Sequence, residues 1–196
     1  MKILRIKLSK KLNADKYEHL VVSDPKQSNK QRTLNIHEMR PDEIKEKARI
    51  HALTWQETYH DLLPASSNSR VTPEFAEEVT RTINLDQLVA YVDDKMVGYA
   101  STSFSCRPAF KRDCAEIGHL YVLKEYQGLG IGTYLIEAIK DLYPGRDLAL
   151  GCLVTNYSAQ AFYQKMGFIN TGNIFIGDSQ DPNDREVEFF LKVRKD

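Results

Sequence analysis

The middle of the chain reads Glu116-Ile-Gly-His-Leu-Tyr-Val122 and, after four further residues, Gln127-Gly-Leu-Gly-Ile-Gly132. The first segment has the pattern of a strand, and the residues after the glycines are apolar at helical spacing, which predicts a helix over about 130–142. Glycines at such a turn allow the backbone to approach a ligand closely. Because the unpaired N–H groups and the dipole at a helix start attract anions, the sequence predicts a site for a phosphate or pyrophosphate group.

The spacing at this turn excludes two common nucleotide-binding motifs. A Walker A loop has a lysine after its last glycine, and Thr133 stands in that place. A dinucleotide fingerprint, counted from Gly128, requires its last glycine where Thr133 stands. The turn is therefore expected to bind a different kind of phosphate-bearing ligand.

The elements around this turn predict a mixed sheet. Pro41 is suited to the first position of a helix with an apolar stripe, and Thr72 is suited to cap a second helix. The predicted strands lie at 33–36, 88–92, 97–100, 116–122, 148–154, 168–176 and 186–193, with a further helix at 158–166 and a polar loop at about 104–114. Hairpins early and strand–helix alternation later predict an α/β fold with a mixed sheet.

The N-terminal part of the chain is basic. The first 33 residues carry nine Lys and Arg against three Asp and Glu, and the rest has a net charge of −6. Alternation predicts a strand over 4–8 with a returning strand over 19–22, and the polar residues 23–31 resemble a linker. We therefore predict a basic hairpin extension over 1–31 and a main domain over 32–196. A nucleic-acid role for the extension is the alternative, although lysines on a strand face are usually only solvated.

Composition limits the class of protein. With 196 residues, 42% of them hydrophobic, the chain is large enough for one domain with a substantial core. No apolar run approaches the ~20 residues that cross a bilayer, and the charged N-terminus is not a secretory signal. The net charge of the whole chain is zero, which gives no electrostatic sign of nucleic-acid binding. No membrane partner is expected, and a nucleic-acid partner is not favoured.

Cysteine and histidine positions give no sign of a metal site. Cys106, Cys114 and Cys152 have no Cys-x-x-Cys spacing, and the five histidines form no metal motif, so no metal is expected. We expect free thiols in a reducing cytoplasm, with a bridge between Cys106 and Cys114 as the alternative.

A second segment carries a resemblance to a known family. It reads Asn156-Tyr-Ser-Ala-Gln-Ala-Phe-Tyr-Gln-Lys-Met-Gly-Phe168. With the glycine turn, it resembles the GCN5-related N-acetyltransferase (GNAT) superfamily, whose Gln/Arg-x-x-Gly-x-Gly/Ala signature is matched by Gln127, Gly130 and Gly132. The segment Thr171-Gly-Asn-Ile-Phe-Ile-Gly-Asp178 resembles the bacterial polyamine and spermidine acetyltransferase branch.

The resemblance implies a fold and a cosubstrate. The implied fold is a mostly antiparallel sheet with splayed central strands, flanked by helices. The implied cosubstrate is acetyl-CoA, with its diphosphate on the amides of the glycine turn and its pantetheine arm against the backbone of the strand at 116–122. The residues implied in cofactor binding are Leu120, Tyr121, Val122, Gln127, Gly128, Leu129, Gly130, Ile131, Gly132, Thr133, Asn156 and Lys165.

Two proton transfers require catalytic groups. An alkylamine with a pKa near ~10.4 is almost fully protonated at pH 7, so its attack on the thioester requires a base. Glu116 matches a position that is often acidic in the superfamily and is preferred, with His119 or a water chain as alternatives. Glu116 and His119 are three residues apart, so without a bulge they point to opposite faces of the strand. Tyr163 matches the family's usual general acid, which protonates the leaving thiolate.

The chain is therefore predicted to be an acetyl-CoA-dependent N-acetyltransferase that uses direct attack in a ternary complex. Its acceptor is expected to be a small cationic primary amine such as a polyamine, because the main domain is acidic and carries Asp178, Asp181 and Asp184. The alternatives are a non-catalytic acyl-CoA-binding regulator and an acetyltransferase of protein or peptide amines. The resemblance is also compatible with a homodimer.

Overall fold

The computed structural model describes residues 11–177 and 184–193, which contain one eight-stranded sheet with helices packed against it. The strands are β1 Leu20–Asp24, β2 Lys30–Glu38, β3 Asp86–Val92, β4 Lys95–Ser103, β5 Ala115–Val122, β6 Leu148–Leu153, β7 Ile169–Ile176 and β8 Arg185–Leu191. The α-helices are α1 Ile44–Tyr59, α2 Ala65–Asn68, α3 Pro73–Thr82, α4 Ile131–Leu142 and α5 Tyr157–Lys165. The strand order is β1-β2-β3-β4-β5-β6-β8-β7, and every neighbouring pair except β5–β6 is antiparallel. The predicted mixed α/β fold is confirmed.

The two central strands separate along their length. β5 and β6 pair only at their starts, where Ala115 lies opposite Leu148 and Glu116 opposite Ala149. Further along, β5 stays paired to β4 and β6 stays paired to β8, so each strand has a free edge toward the other. Along the gap neither strand has a strand partner on this side within the described residues, although Gln127 Nε2 donates to the Val122 carbonyl at 3.0 Å. Such an edge is suited to pair with an extended ligand.

Helix α4 fixes the glycine turn against the sheet. Leu135, Ile136 and Ile139 are fully buried, as their helical spacing predicts. The helix packs against β4 and β5, and residues 123–130 join the end of β5 to its N-terminus. No helix in the described ranges is both long and apolar enough to cross a membrane.

The N-terminal region differs from the predicted arrangement. The strand predicted at 19–22 is present as β1, but it pairs with β2, with Val22 opposite Arg32. Residues 23–31 are not a linker, because Asp24 caps a turn of 3₁₀-helix that joins the two strands. Tyr17 and Val22 are buried in the main core. The sheet therefore continues without a break at residue 31; the strand predicted over 4–8 lies outside the described residues.

The loop before β5 corrects the expectation about thiols. Cys106 and Cys114 are joined by a disulfide, with their Cα atoms 5.5 Å apart, and Cys152 is a buried free thiol. The sequence could not decide this pairing, because it depends on how the loop folds back onto β5. The cytoplasmic location stays a prediction.

Candidate functional site

A cleft of about 740 Å³ opens where β5 and β6 separate. Its walls are β5, the glycine turn, the start of α5 and the end of α1. The predicted site residues that line it are Leu120, Tyr121, Val122, Gln127, Gly128, Gly130, Ile131, Gly132, Thr133, Asn156, Tyr163 and Lys165. Leu129 and Glu116, which were also predicted, are not among the lining residues.

The glycine turn presents backbone groups to the cleft. Gly128 and Gly130 have φ values of +94° and +81°, which L-residues rarely adopt. Gly130 precedes the first residue of α4, and no side chain caps the helix. The first N–H groups of α4 therefore have no intrahelical partner, and they lie at the positive end of the helix dipole. This end of the cleft is suited to an anion.

Leu129 has a structural role within the turn. Its side chain is 4% exposed and belongs to the main core, while its glycine neighbours line the cleft. The turn thus exposes backbone to the cleft at Gly128 and Gly130, while the side chain of the residue between them points into the protein core. Leu129 can offer a ligand only its backbone.

Helix α5 forms the opposite wall. The Asn156 side chain caps this helix by accepting a hydrogen bond from the amide of Ala159 at 3.1 Å. Gly132 allows the two helices to approach, because a Cβ at that position would lie 3.0 Å from the ring of Phe162. Lys165 is an exposed cation that lines the cleft.

Tyr163 lies within the cleft wall. Its ring packs against Phe162, Phe168 and Phe189. Burial, followed by the nearby Cys152 and acidic groups, raises the pKa of the Tyr163 phenol well above its ordinary value. The hydroxyl therefore stays protonated throughout the ordinary pH range and can act as a hydrogen-bond donor.

Glu116 is held away from the cleft by an ion pair. Its Oε2 accepts from the backbone N–H of Arg107 at 2.7 Å, and its Oε1 accepts from Arg107 Nε at 2.6 Å. The carboxylate is buried, and the same arginine also contacts Glu186 at 3.3 Å. The preference for Glu116 as the base is not supported by this arrangement, because both oxygens hold the loop onto the sheet.

His119 reaches the cleft because β5 contains a bulge. Ser101 lies opposite His119 while Thr102 lies opposite Ile117, so one residue of β5 has no partner across the ladder. His119 lines the cleft, and its Nδ1 is buried with no hydrogen-bond partner in the described part of the chain. Burial, followed by the nearby His51, Lys47 and Arg107, holds its pKa well below the usual value. The ring is therefore neutral, and one of its nitrogens is buried without a hydrogen-bond partner among the described residues.

The structure adds residues that the motifs did not indicate. Tyr59 from the end of α1 and Cys152 from β6 line the cleft near Tyr163. Burial raises the pKa of both groups to about 12, so Cys152 is a neutral thiol. In the sequence, Tyr59 belongs to the apolar stripe of α1, which resembles ordinary core packing. In the described ranges, no group of three or more His, Cys, Asp or Glu residues is arranged to hold a metal.

A family model matches most of this region. Residues 49–168 match the model described as "Acetyltransferase (GNAT) family", which is more than half of the chain. A curated relative, the N-alpha-acetyltransferase of Saccharolobus solfataricus, is 28% identical over 153 residues, covering 72% of this chain and 84% of the relative.

Solved structures have the same fold. The PaiA N-acetyltransferase of Thermoplasma acidophilum, solved with coenzyme A, superposes with a TM-score of 0.59 at 19% identity, covering 80% of this chain and 98% of that one. A GCN5-related N-acetyltransferase from Rhodopseudomonas palustris gives a TM-score of 0.63 at 20% identity, covering 89% and 99% of the two chains. At these identities the likeness is one of fold.

Proposed function

The chain belongs to the GNAT family of acetyltransferases, and we propose that it transfers the acetyl group of acetyl-CoA to a small cationic primary amine. Membership of the family makes it an N-acetyltransferase with acetyl-CoA as cosubstrate. One observation carries the proposal for this chain: the splayed strands and the uncapped helix α4 enclose one continuous cleft.

Successive parts of the cleft suit the diphosphate, the pantetheine arm and the thioester of acetyl-CoA. The amides of residues 127–133 would bind the diphosphate, and Lys165 supplies a positive charge beside it. The free edge of β5 at Leu120–Val122 would pair with the amide groups of the pantetheine arm as an added strand would. Asn156 lies across the gap at the start of α5. This order brings the thioester toward His119 and Tyr163.

We propose His119 as the group that accepts the proton of the amine. Its ring lines the cleft and is neutral, and its buried Nδ1 has no hydrogen-bond partner among the described residues. A weak base suffices, because the amine nitrogen becomes strongly acidic once its bond to the thioester carbon forms. The amine attacks that carbon, His119 takes the proton, and the C–S bond breaks as Tyr163 donates a proton to the sulfur.

Substitution of the two candidate bases separates their roles. We expect His119→Gln to lower kcat severalfold at pH 7, and Glu116→Gln to leave kcat near the wild-type value. Glu116→Gln is expected instead to destabilise the fold by roughly 1–3 kcal/mol, because it weakens the buried pair with Arg107. Steady-state kinetics and thermal unfolding on the same samples measure both effects.

An exposed ion pair provides the control for stability. Glu77→Gln removes a carboxylate that pairs with Arg81 on the surface of α3, and its effect on unfolding should be small. A severalfold loss of kcat in Glu116→Gln, with His119→Gln unaffected, would return the role of base to Glu116.

A cationic acceptor is favoured by acidic side chains of the cleft. Glu57 and Asp61 are among its lining residues, and residues 34–196 have a net charge of −6. A thiol-release assay with polyamines, aminoglycosides, amino acids and peptides tests the acceptor directly. Peptides with free N-termini belong in the panel because the Saccharolobus relative is an N-alpha-acetyltransferase.

The panel has three informative outcomes. Turnover of a polyamine supports the proposal, and turnover of peptides alone replaces the acceptor with a protein N-terminus. Binding of acetyl-CoA with no turnover of any amine would favour a non-catalytic regulator.

A further inference from the structure

Helix α1 carries a buried cation behind the cleft. The side chain of Lys47 is 3% exposed, and its Nζ donates a hydrogen bond to Thr80 Oγ1 at 2.8 Å. The same Nζ lies 4.4 Å from the ring centre of Tyr99. No carboxylate in the described ranges pairs with it. A buried charge of this kind is costly unless it is paired, so its presence requires an explanation.

A row of rings connects this cation to the cleft. The hydroxyl of Tyr99 lies 2.7 Å from Nδ1 of His51, which is one helical turn after Lys47. The ring of His51 is 5.1 Å from the ring of His119, and His119 lines the cleft with its Nδ1 free. Lys47 therefore lies behind the proposed base, separated from it by rings and not by a carboxylate.

We infer that Lys47 is a positioning residue. Its buried positive charge disfavours protonation of His119 and of the amine bound beside it. The inference rests on the proposed function of the cleft. A fixed positive charge in a medium of low dielectric disfavours any second positive charge nearby, so it favours the neutral amine that attacks and the neutral imidazole that accepts its proton. A desolvated amine beside another cation is activated in the same way.

The groups around His119 are consistent with an environment that disfavours a second positive charge. Burial and the charge of Lys47 lower the pKa of His51 to about 3, so that ring is neutral. The rings that face His119 are those of His51 on α1, Tyr99 on β4 and Tyr121 on β5. The cations that act on its pKa are Lys47 and, in the loop before β5, Arg107. Arg107 is already paired with Glu116, so Lys47 is the cation in this group that no described carboxylate offsets.

The pH range of the effect follows from Lys47 itself. Burial lowers the pKa of Lys47 to about 8, so it is charged below that pH and neutral above it. Removal of the charge should raise the pH at which the bound amine and His119 lose their protons. The acid limb of kcat should therefore move to higher pH, while the rates converge with those of the wild-type protein above pH 8.

The decisive comparison is Lys47→Met against Lys45→Met in the full-length protein. Methionine keeps the length of the buried side chain without its charge, whereas Lys45 is exposed on the same helix. At saturating acetyl-CoA and acceptor, Lys47→Met should lower kcat about threefold or more at pH 6, which corresponds to an acid limb shifted by about 0.5 pH unit. Lys45→Met should leave the profile unchanged, and Lys47→Arg should restore it where the variant folds.

A measurement without substrate separates this inference from the proposed function. Ring signals of His51 and His119, followed by NMR from pH 8 downward, should titrate at higher pH in Lys47→Met than in the wild-type protein. Identical ring titrations in the two proteins would overturn the inference whether or not an acceptor is found. An equal loss of kcat at pH 6 and pH 9 would also overturn it, since that result indicates altered packing.

Discussion

Gly130→Glu is expected to abolish acetyl-CoA binding. Gly130 has a φ of +81° and stands directly before α4, where no side chain caps the helix. A glutamate there places a carboxylate at the amides proposed for the diphosphate, so it competes for the same N–H groups and repels the ligand. Isothermal calorimetry should show no heat of binding at concentrations that saturate the wild-type protein.

Gly172→Glu is the matched control for this substitution. Gly172 has a φ of +76° and lies in β7, away from the lining of the cleft, and a Cβ at this position would meet no atom within 4 Å. The same change therefore brings similar backbone strain and the same charge at a distance from the proposed site. Normal acetyl-CoA affinity in Gly130→Glu, or equal losses in the two variants, would contradict the assigned diphosphate site.

Tyr163→Phe is expected to lower turnover at least tenfold with little change in acetyl-CoA affinity. The substitution removes one hydroxyl and keeps the ring that packs against Phe162, Phe168 and Phe189. The thiolate of coenzyme A then leaves without a proton donor, which raises the barrier of the step in which the C–S bond breaks. Steady-state kinetics and calorimetry together separate kcat from affinity.

Tyr134→Phe provides the control for loss of a hydroxyl. Tyr134 is a half-buried residue of α4 that does not line the cleft, so its substitution should leave turnover unchanged. Unchanged turnover in Tyr163→Phe would remove this phenol from the mechanism. A large loss of acetyl-CoA affinity in the same variant would make Tyr163 a binding residue.

The raised pKa of Tyr163 also sets its pH dependence. Because burial raises the pKa of the phenol above its ordinary value, the protonated donor is present throughout an assay range of about pH 6 to 10. Deprotonation of Tyr163 should therefore produce no fall in kcat on the alkaline side of this range. A fall that is present in the wild-type protein and absent in Tyr163→Phe would contradict this assignment.

Local patterns predicted most of the fold. The glycine turn and helix α4 follow from the apolar spacing of Leu135, Ile136 and Ile139, and the structure buries all three. The splay of β5 and β6 was implied only by the family resemblance, since each strand by itself resembles an ordinary buried strand. Pairing over long distances depends on the whole sheet, which explains why the pairing of β1 with β2 was not predicted. The predicted pairing of β1 with a strand over 4–8 stays a prediction.

The candidate site was only partly predictable. Backbone ligands at the glycine turn follow from sequence, because positive φ and a helix start are local features. Whether Glu116 is free to act as a base depends on its ion-pair partner. That partner, Arg107, lies in a loop whose path the sequence does not reveal. Which faces of β5 carry Glu116 and His119 depends on a bulge, and a one-residue bulge has no reliable signature in sequence. Lys47 and His51 resembled residues of an ordinary helix face until the fold placed them behind the cleft.

A crystal structure with bound coenzyme A tests the central claim most directly. The account predicts diphosphate oxygens within about 2.7–3.2 Å of backbone N–H groups in residues 127–133. It also predicts that the pantetheine arm lies along the free edge of β5. A diphosphate bound elsewhere on the protein, with the amides of the glycine turn left in solvent, would contradict it.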